Sequence, residues 1–244
     1  MSVEYVRPER GIATLTLDAP ANRNALSAGL VAGLAQALDG CGKDPEVRAV
    51  VLTHTGSTFC SGADLREPPD PAAFVGLLRQ IVELPKPVVA RVDGHVRAGG
   101  LGLLGVCDMG VAGAGASFAL TEVRIGVAPA VISMPLLARL DPSAASRYFL
   151  TGERFGGAQA ARIGLVTAAG EDVDVELAPI LDGLRKSAPQ ALAETKKLLT
   201  ARVLDAFDHH SDAVIALSAR LFGSAEAREG MAAFLERRER PWVL

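Results

Sequence analysis

The 244-residue sequence has few cysteines and no excess of basic residues, and both absences argue against whole classes of protein. Its three cysteines, Cys41, Cys60 and Cys107, are odd in number and lack CxxC spacing. They indicate neither a disulfide framework nor a zinc site, and we expect buried thiols and no bound metal. Lysine and arginine are scattered and the net charge is −3, so we expect no nucleic-acid partner.

The sequence also lacks a signal peptide and a long apolar run. Its first ten residues carry charges and Pro8 where a signal peptide needs an apolar segment, and no apolar run approaches the length of a membrane span. We therefore expect a cytoplasmic protein with no membrane partner. Hydrophobic residues make up 49% and charged residues 22% of the chain, which is ordinary for a protein that folds throughout.

The apolar pattern predicts an α/β fold. Short apolar runs at 12–17, 48–53 and 88–93 alternate with stretches of helical periodicity, as in a sheet covered by helices. Ser27 and Ser143 stand where helix N-caps belong. Strands and helices should therefore alternate through the first two-thirds of the chain.

The last third has a different pattern, which predicts long helices only. We place an α/β core at residues 1–176 and a helical region at 177–244, which we treat as a subdomain of the same fold. The apolar residues of the helical region recur at roughly helical spacing, for example at Leu199, Val203 and Phe207. Such a stripe needs a partner surface, and we expect part of it to lie in contacts between subunits.

Three segments are rich in glycine, at 55–65, 93–105 and 110–115. Residues 100–105 match the GxGxxG dinucleotide fingerprint. In that fingerprint the first glycine follows a strand directly, whereas here residues 93–99 intervene, so we interpret the segment as a buried helix and expect no nicotinamide cofactor. No Gly-Lys-Ser/Thr and no GxSxG motif is present, so the sequence predicts neither a P-loop nor a serine nucleophile.

Four sequence blocks follow one another in a characteristic order. They are 22–26 (NRNAL), 59–65 (FCSGADL), 93–94 with 98–103 (DG and AGGLGL), and 118–126 (FALTEVRIG). In these blocks, and in 151–155, 162–166 and 229–235, the chain resembles the enoyl-CoA hydratase/isomerase family of the crotonase superfamily. The resemblance spans almost the whole chain. It implies a crotonase-like ββα spiral core with a C-terminal helical subdomain, assembled as a homotrimer or a dimer of trimers.

The resemblance also implies an oxyanion hole for the thioester of an acyl-CoA, made by the backbone N–H groups of Ala63 and Gly99. The chemistry fits, because the first N–H groups of a helix lack intrahelical partners and carry the positive end of its dipole. Coenzyme A would belong to the substrate, so we expect no separate cofactor. The other residues that the resemblance assigns to the CoA and substrate path are Arg23, Asn24, Ala25, Leu26, Ser61, Gly62, Asp64, Leu65 and Gly100.

Glu122 is the predicted catalytic residue. It stands among apolar residues, so burial should raise its pKa toward neutrality. The family hydratases carry a second glutamate three residues after the oxyanion glycine, where this chain has Gly102, and they usually have a glycine pair where it has Val131 and Ile132. Hydration needs one group for water and another for the α-carbon proton, whereas one carboxylate suffices to shift a double bond. We therefore expect isomerisation of an enoyl-CoA.

Three alternatives remain open. First, a substitute acid would allow 2-enoyl-CoA hydration, and the candidates near the family site are Asp64, Glu67, Asp93 and His95. Second, Arg97 would suit the carboxylate of a dicarboxylic acyl-CoA, which leaves decarboxylation or hydrolysis open. Third, a protein that binds acyl-CoA without turnover is the non-enzymatic reading. The pattern does not specify the acyl chain.

Overall fold

The computed structural model describes residues 2–244, and its strands and helices alternate through most of the chain. The strands are β1 (Val3–Glu9), β2 (Ile12–Leu17), β3 (Ala49–His54), β4 (Thr58–Cys60), β5 (Val88–Val92), β6 (His95–Arg97), β7 (Met109–Ala112), β8 (Ser117–Ala119), β9 (Phe155–Gly156) and β10 (Ala168–Ala169). The helices are α1 (Ala28–Lys43), α2 (Pro71–Glu83), α3 (Gly99–Val106), α4 (Ala130–Leu137), α5 (Pro142–Thr151), α6 (Gly157–Arg162), α7 (Val173–Lys186), α8 (Pro189–Phe222) and α9 (Ala225–Glu236). Two short 3-10 helices occupy Pro20–Asn22 and Glu122–Ile125.

The strands form two sheets. The larger one has the order β1-β2-β3-β5-β7-β10, in which β1 and β2 are antiparallel and the remaining neighbours are parallel. The smaller one has the order β4-β6-β8-β9. Residues 49–52 of β3 are buried on both faces of the larger sheet, as their continuous apolar run predicts. The predicted α/β architecture is therefore confirmed.

Helix caps explain where several helices begin. Ser27 is the N-cap of α1, as predicted, and its Oγ accepts a hydrogen bond from the Leu30 N–H at 3.2 Å. The prediction for Ser143 is wrong, because the N-cap of α5 is Asp141, whose side chain accepts from the Ala144 N–H at 2.9 Å. Pro142 fixes the first helical position, so the cap falls on the residue before it.

The C-terminal helices pack against the sheet and the helices of the core. Helix α7 covers one face of the larger sheet through Val173, Leu177 and Leu184, and the predicted boundary at 176/177 therefore falls inside this helix. Helix α8 packs on α2 and α4 and buries Phe207 in the main core. Within residues 2–244, no helix combines the length and the hydrophobicity that crossing a bilayer requires.

A buried ion pair joins α8 to the start of β5 and β7 in the larger sheet. Lys196 Nζ lies 2.8 Å from Asp108 Oδ2, and both side chains are at least nine-tenths buried. The ammonium also donates to the carbonyls of Ile81 (2.8 Å) and Lys86 (3.1 Å), while Asp108 accepts from the Val88 N–H at 2.7 Å. Both charges are therefore paired and hydrogen-bonded, which burial of an ion requires.

Candidate functional site

The segment 22–26 is held in place by Asn24. This residue has a left-handed φ of 52° and a fully buried side chain. Its Oδ1 accepts from the Ala19 N–H at 2.7 Å, and its Nδ2 donates to the carbonyls of Thr55 (3.1 Å) and Thr58 (2.7 Å). The amide is therefore used entirely within the chain, so the side chain of Asn24 supports the loop and offers no polar group to a CoA ligand.

Segments 23–26 and 61–64 lie side by side. The Leu26 N–H donates to the Gly62 carbonyl at 2.8 Å, and the Asp64 N–H donates to the Leu26 carbonyl at 3.0 Å, so Leu26 and Ala63 form a parallel bridge. In such a bridge the N–H of Ala63 points away from Leu26. The N–H of Ala63, one of the two predicted oxyanion donors, is therefore not used in this bridge.

The second predicted donor, Gly99, lies next to the first. The position of a Cβ atom on Gly62 is 3.4 Å from the Gly99 nitrogen and 3.3 Å from the Arg97 carbonyl oxygen. Because Gly62 also has a φ of 92°, a side chain there would be strained as well as crowded. The glycine therefore allows the loop after β4 and the start of α3 to come together.

Ala98, the N-cap of α3, has an unusual backbone conformation. Its φ of 48° and ψ of −123° are rare for a residue with a Cβ, and such strain costs on the order of 1–3 kcal/mol. The Ala98 N–H donates to the Ala119 carbonyl at 3.1 Å, which ties the start of α3 to the end of β8. Strain held in place by its surroundings is typical of a functional site.

Helix α3 is also fixed at its other end. The Arg139 guanidinium donates from Nη1 to the carbonyls of Leu104 (3.3 Å), Gly105 (3.2 Å) and Cys107 (3.0 Å). A cation at this end complements the helix dipole. Gly100 packs against Cys60, with a Cβ position 2.7 Å from the Cys60 carbonyl oxygen, so this glycine serves close packing, as expected of a buried helix.

Glu122 begins the 3-10 helix that follows β8. Its side chain is buried, and in residues 2–244 its Oε2 has no hydrogen-bond partner. Burial raises the pKa of this carboxyl from 4.5 to about 7, and a hydrogen bond to its own backbone opposes the shift weakly. A carboxyl with this pKa can both accept and return a proton near neutral pH.

The surroundings of Gly102 are apolar. A Cβ atom on Gly102 would overlap Cγ2 of Ile132 and would lie 3.5 Å from Cζ of Phe74. A Cβ atom on Gly99 would lie 2.8 Å from Cδ1 of Leu26 and 3.7 Å from the same Phe74 atom. The side chains of Leu26, Phe74 and Ile132 thus form an apolar wall along the first turn of α3.

This wall was not predicted from the sequence. The sequence has Val131 and Ile132 in place of the usual glycine pair, but nothing in it connects Ile132 with Gly102. The contact depends on the packing of α4 against α3. The two positions that depart from the hydratase pattern are therefore in direct contact.

The candidate substitute acids have other environments. Asp64 accepts from the Arg66 N–H at 3.0 Å, as a turn-stabilising carboxylate does, and Glu67 is exposed. His95 is exposed on β6, and its Nδ1 lies 2.9 Å from Ser117 Oγ. Asp93 follows β5, where its carboxylate is close to the backbone of Gly113. None of the four is buried as Glu122 is.

Arg97 uses its guanidinium within the small sheet. Its Nη1 donates to the carbonyls of Val96 (2.8 Å) and Ser117 (2.6 Å), and its Nη2 donates to Ser117 Oγ at 2.8 Å. Burial and the nearby charge of Arg154 lower the pKa of Arg97. These contacts indicate that Arg97 stabilises the small sheet. Arg23, by contrast, has an exposed side chain on a left-handed residue, with a φ of 59°.

Comparison with known proteins gives a consistent result. The family model described as "Enoyl-CoA hydratase/isomerase" matches residues 7–243. A protein of Salmonella agona strain SL483 named "Carnitinyl-CoA dehydratase" is 32% identical over 255 residues, which cover 95% of this chain and 94% of the relative.

Solved structures agree with the sequence relatives. An enoyl-CoA hydratase from Mycobacterium avium is similar with a TM-score of 0.93 and 50% identity, over 99% of both chains. A carnitinyl-CoA hydratase from Mycobacterium avium gives a TM-score of 0.87 and 29% identity, over 99% of this chain and 98% of the other. The predicted fold, including its helical C-terminal region, is confirmed by these similarities.

Proposed function

The chain belongs to the enoyl-CoA hydratase/isomerase family of acyl-CoA enzymes, and from this premise we propose that it shifts the double bond of an enoyl-CoA. Glu122 is the single base, and the N–H groups of Ala63 and Gly99 hold the thioester oxygen. One observation carries the proposal. The position of a second acid, Gly102, is crowded by the side chain of Ile132, so a carboxylate side chain has no room there.

The reaction moves one proton from C2 to C4 of the acyl chain. The Glu122 carboxylate removes a proton from C2 of a 3-enoyl-CoA. The C–H electron pair forms a C1=C2 bond and the carbonyl π pair moves onto the thioester oxygen, which gives a dienolate conjugated with the C3=C4 double bond. The same carboxyl group then returns the proton to C4, which leaves a 2-enoyl-CoA. A base with a pKa of about 7 suits both steps at neutral pH.

The dienolate oxygen would be stabilised by the two N–H groups. Loss of a single donor from an oxyanion hole costs roughly 2.7–4 kcal/mol in transition-state stabilisation. The strained Ala98 and the close contact between Gly62 and Gly99 fix both donors before substrate arrives, so little reorganisation is needed during the reaction. Arg23 is proposed to meet a phosphate of the CoA moiety, since its cation is exposed beside this loop.

Water addition to a 2-enoyl-CoA, or the reverse dehydration, is the second candidate. The names of the relatives favour it, because they are called hydratase and dehydratase at identities up to 50%. In this case Glu122 alone would have to handle both the water and the α-carbon proton. The geometry at Gly102 favours isomerisation, whereas the names of the relatives favour hydration. A measurement of which substrates the protein converts distinguishes the two.

The test is a panel of 2-enoyl-CoA and 3-enoyl-CoA thioesters, with products identified by chromatography and mass spectrometry. Isomerisation gives a product of unchanged mass from the 3-enoyl substrate, whereas hydration of the 2-enoyl substrate adds the mass of one water. Hydration faster than isomerisation would favour the second candidate. Loss of CO₂ or of CoA from a dicarboxylic acyl-CoA would support the role considered for Arg97, and binding without conversion would indicate a non-catalytic protein.

We also propose that the chain assembles as a homotrimer or a dimer of trimers. The support is the apolar surface of α8, where the neighbouring Leu198 and Leu199 are 81% and 75% exposed. Adjacent exposed apolar side chains of this kind indicate a surface that contacts another protein chain. Sedimentation at micromolar concentration gives the mass. A strictly monomeric species would contradict this proposal.

A further inference from the structure

The 3-10 helix that carries Glu122 is in direct backbone contact with α9. A Cβ atom on Gly230 of α9 would lie 2.5 Å from both the carbonyl carbon and the carbonyl oxygen of Ile125. On the other side of this contact, a Cβ atom on Gly126 would lie 2.6 Å from the carbonyl carbon of Glu226. The two backbones therefore touch with no side chain between them.

A second contact holds the same turn from the end of α5. Arg124 Nε donates to the Thr151 carbonyl at 3.1 Å. The next residue, Gly152, is the left-handed C-cap of α5, and its Cβ position is 3.0 Å from the Leu120 carbonyl oxygen. The turn of residues 122–125 therefore packs between α9 and the end of α5.

In residues 2–244 the Oε2 atom of Glu122 has no hydrogen-bond partner, and the carboxyl group hydrogen-bonds to its own backbone. Its position therefore depends on its backbone. The Glu122 carbonyl accepts from the N–H groups of Gly126 and Val127, which closes the turn but does not fix it to the core. That task falls to the contacts with α9 and α5.

We propose that Gly230 is a positioning residue that sets the location of Glu122 through the backbone of Ile125, with Arg124 and Thr151 as the second point of support. The proposal rests on the proposed function, in which Glu122 is the base. It explains why the 3-10 helix and α9 each have a glycine at their contact: any side chain would force the two backbones apart.

The expected size of the effect follows from the distances. Non-bonded atoms pack at about 3.5–4.0 Å, so a methyl group at position 230 requires the backbones to separate by roughly 1 Å. A displacement of this size at a reacting group can cost about 10²-fold in rate. Water admitted beside Glu122 would also lower its pKa toward the ordinary value, since burial is the main cause of the shift. The charged groups closest in sequence to the contacts are Arg124 on the turn, Glu226, Arg228 and Glu229 on α9, and Glu153 after α5. Of these, Glu229 is paired with Arg238 and Glu153 with Arg147.

The test compares Gly230→Ala with Gly183→Ala as a matched control. Both glycines are helical, and both changes gain helix propensity, but a Cβ on Gly183 meets nothing within 4 Å. We expect Gly230→Ala to lower kcat by about 10²-fold while KM stays within about twofold, and to move the acid limb of the kcat profile to lower pH. The control should match the wild type in all three.

Arg124→Gln is the second variant, because its side chain is exposed and its loss should not prevent folding. It should lower kcat by several-fold and shift the pH profile in the same direction. A folded Gly230→Ala protein with normal kcat and pH profile would overturn the proposal. If Gly230→Ala does not fold, an unchanged Arg124→Gln protein overturns it instead. Glu122→Gln separates the two hypotheses: if it keeps wild-type turnover, the proposed function is what fails.

Discussion

Restoring the missing carboxylate is the sharpest test of how the site distinguishes its reactions, and the structure shows that one substitution is not enough. In Gly102→Glu the new side chain must pass through the space of Ile132, whose Cγ2 overlaps the Cβ position and whose Cβ is 3.2 Å away. Ile132→Ala removes the overlapping atoms. We therefore expect the double variant, and not the single one, to present a carboxylate to the substrate.

The stability of the variants should reveal this contact. Overpacking in Gly102→Glu should cost about 1–3 kcal/mol, and burial of a new carboxylate beside Glu122 adds to that cost. Ile132→Ala alone should cost about 2–5 kcal/mol, because it leaves a cavity. The double variant should be more stable than the sum of the two changes by about 0.5–3 kcal/mol, the range for residues in contact. Urea unfolding of all four proteins measures this coupling.

Activity is read as a ratio on one folded preparation of each protein. Water addition to a 2-enoyl-CoA, divided by bond migration in a 3-enoyl-CoA, should rise at least about tenfold in the double variant, since a well-placed acid–base group contributes about 10²–10⁴-fold. Additive stabilities would show that the contact with Ile132 is unimportant. A wild type that hydrates at roughly 1–10³ s⁻¹ would show that Gly102 is no deficit.

Three further predictions follow from single residues. Glu122→Gln should lower turnover by about 10²–10⁴-fold. Folding raises the pKa of Glu122 to about 7, so its protonation stabilises the fold fully below about pH 4.5, and this stabilisation is lost as the pH rises through 7. The neutral side chain of the Glu122→Gln variant has no such pH dependence. Unfolding measured at pH 5 and pH 8 should therefore show the variant gaining stability relative to the wild type at pH 8, by up to about 3 kcal/mol. Ala98→Gly should relieve strain and raise the unfolding free energy by about 1 kcal/mol, measured in urea. Lys196→Met leaves Asp108 buried and unpaired, and calorimetry should show a loss of about 3–5 kcal/mol.

Local sequence patterns and short motifs predicted the fold and the environment of several residues. The buried environment of Glu122 agrees with its apolar neighbours in sequence, and all three cysteines are free and buried as expected. Family-like blocks gave the fold, because the blocks keep their order along the chain. Each of these features depends on residues that are close in sequence.

Features that depend on which face a residue presents were not predictable in this way. Asn24 stands in a block assigned to the CoA path, yet its amide points inward to three backbone groups from two other segments. The contact of Gly102 with Ile132 and that of Gly230 with Ile125 join residues of different elements, and glycine alone does not say what it approaches. Ser143 failed as a cap because Pro142, one position earlier, already fixes the helix start.

The pairing of Lys196 with Asp108 has a consequence for how the chain matures. During synthesis the strands up to β10 leave the ribosome before α8, which begins at Pro189. Until Lys196 leaves the ribosome, Asp108 lacks its salt-bridge partner, so the surface that α8 later covers stays hydrated. Contacts between residues this distant in sequence form slowly. Docking of α8 is therefore the step that excludes water from the surface around Asp108. A nascent chain that stalls before Lys196 would expose this hydrated surface to chaperones and proteases.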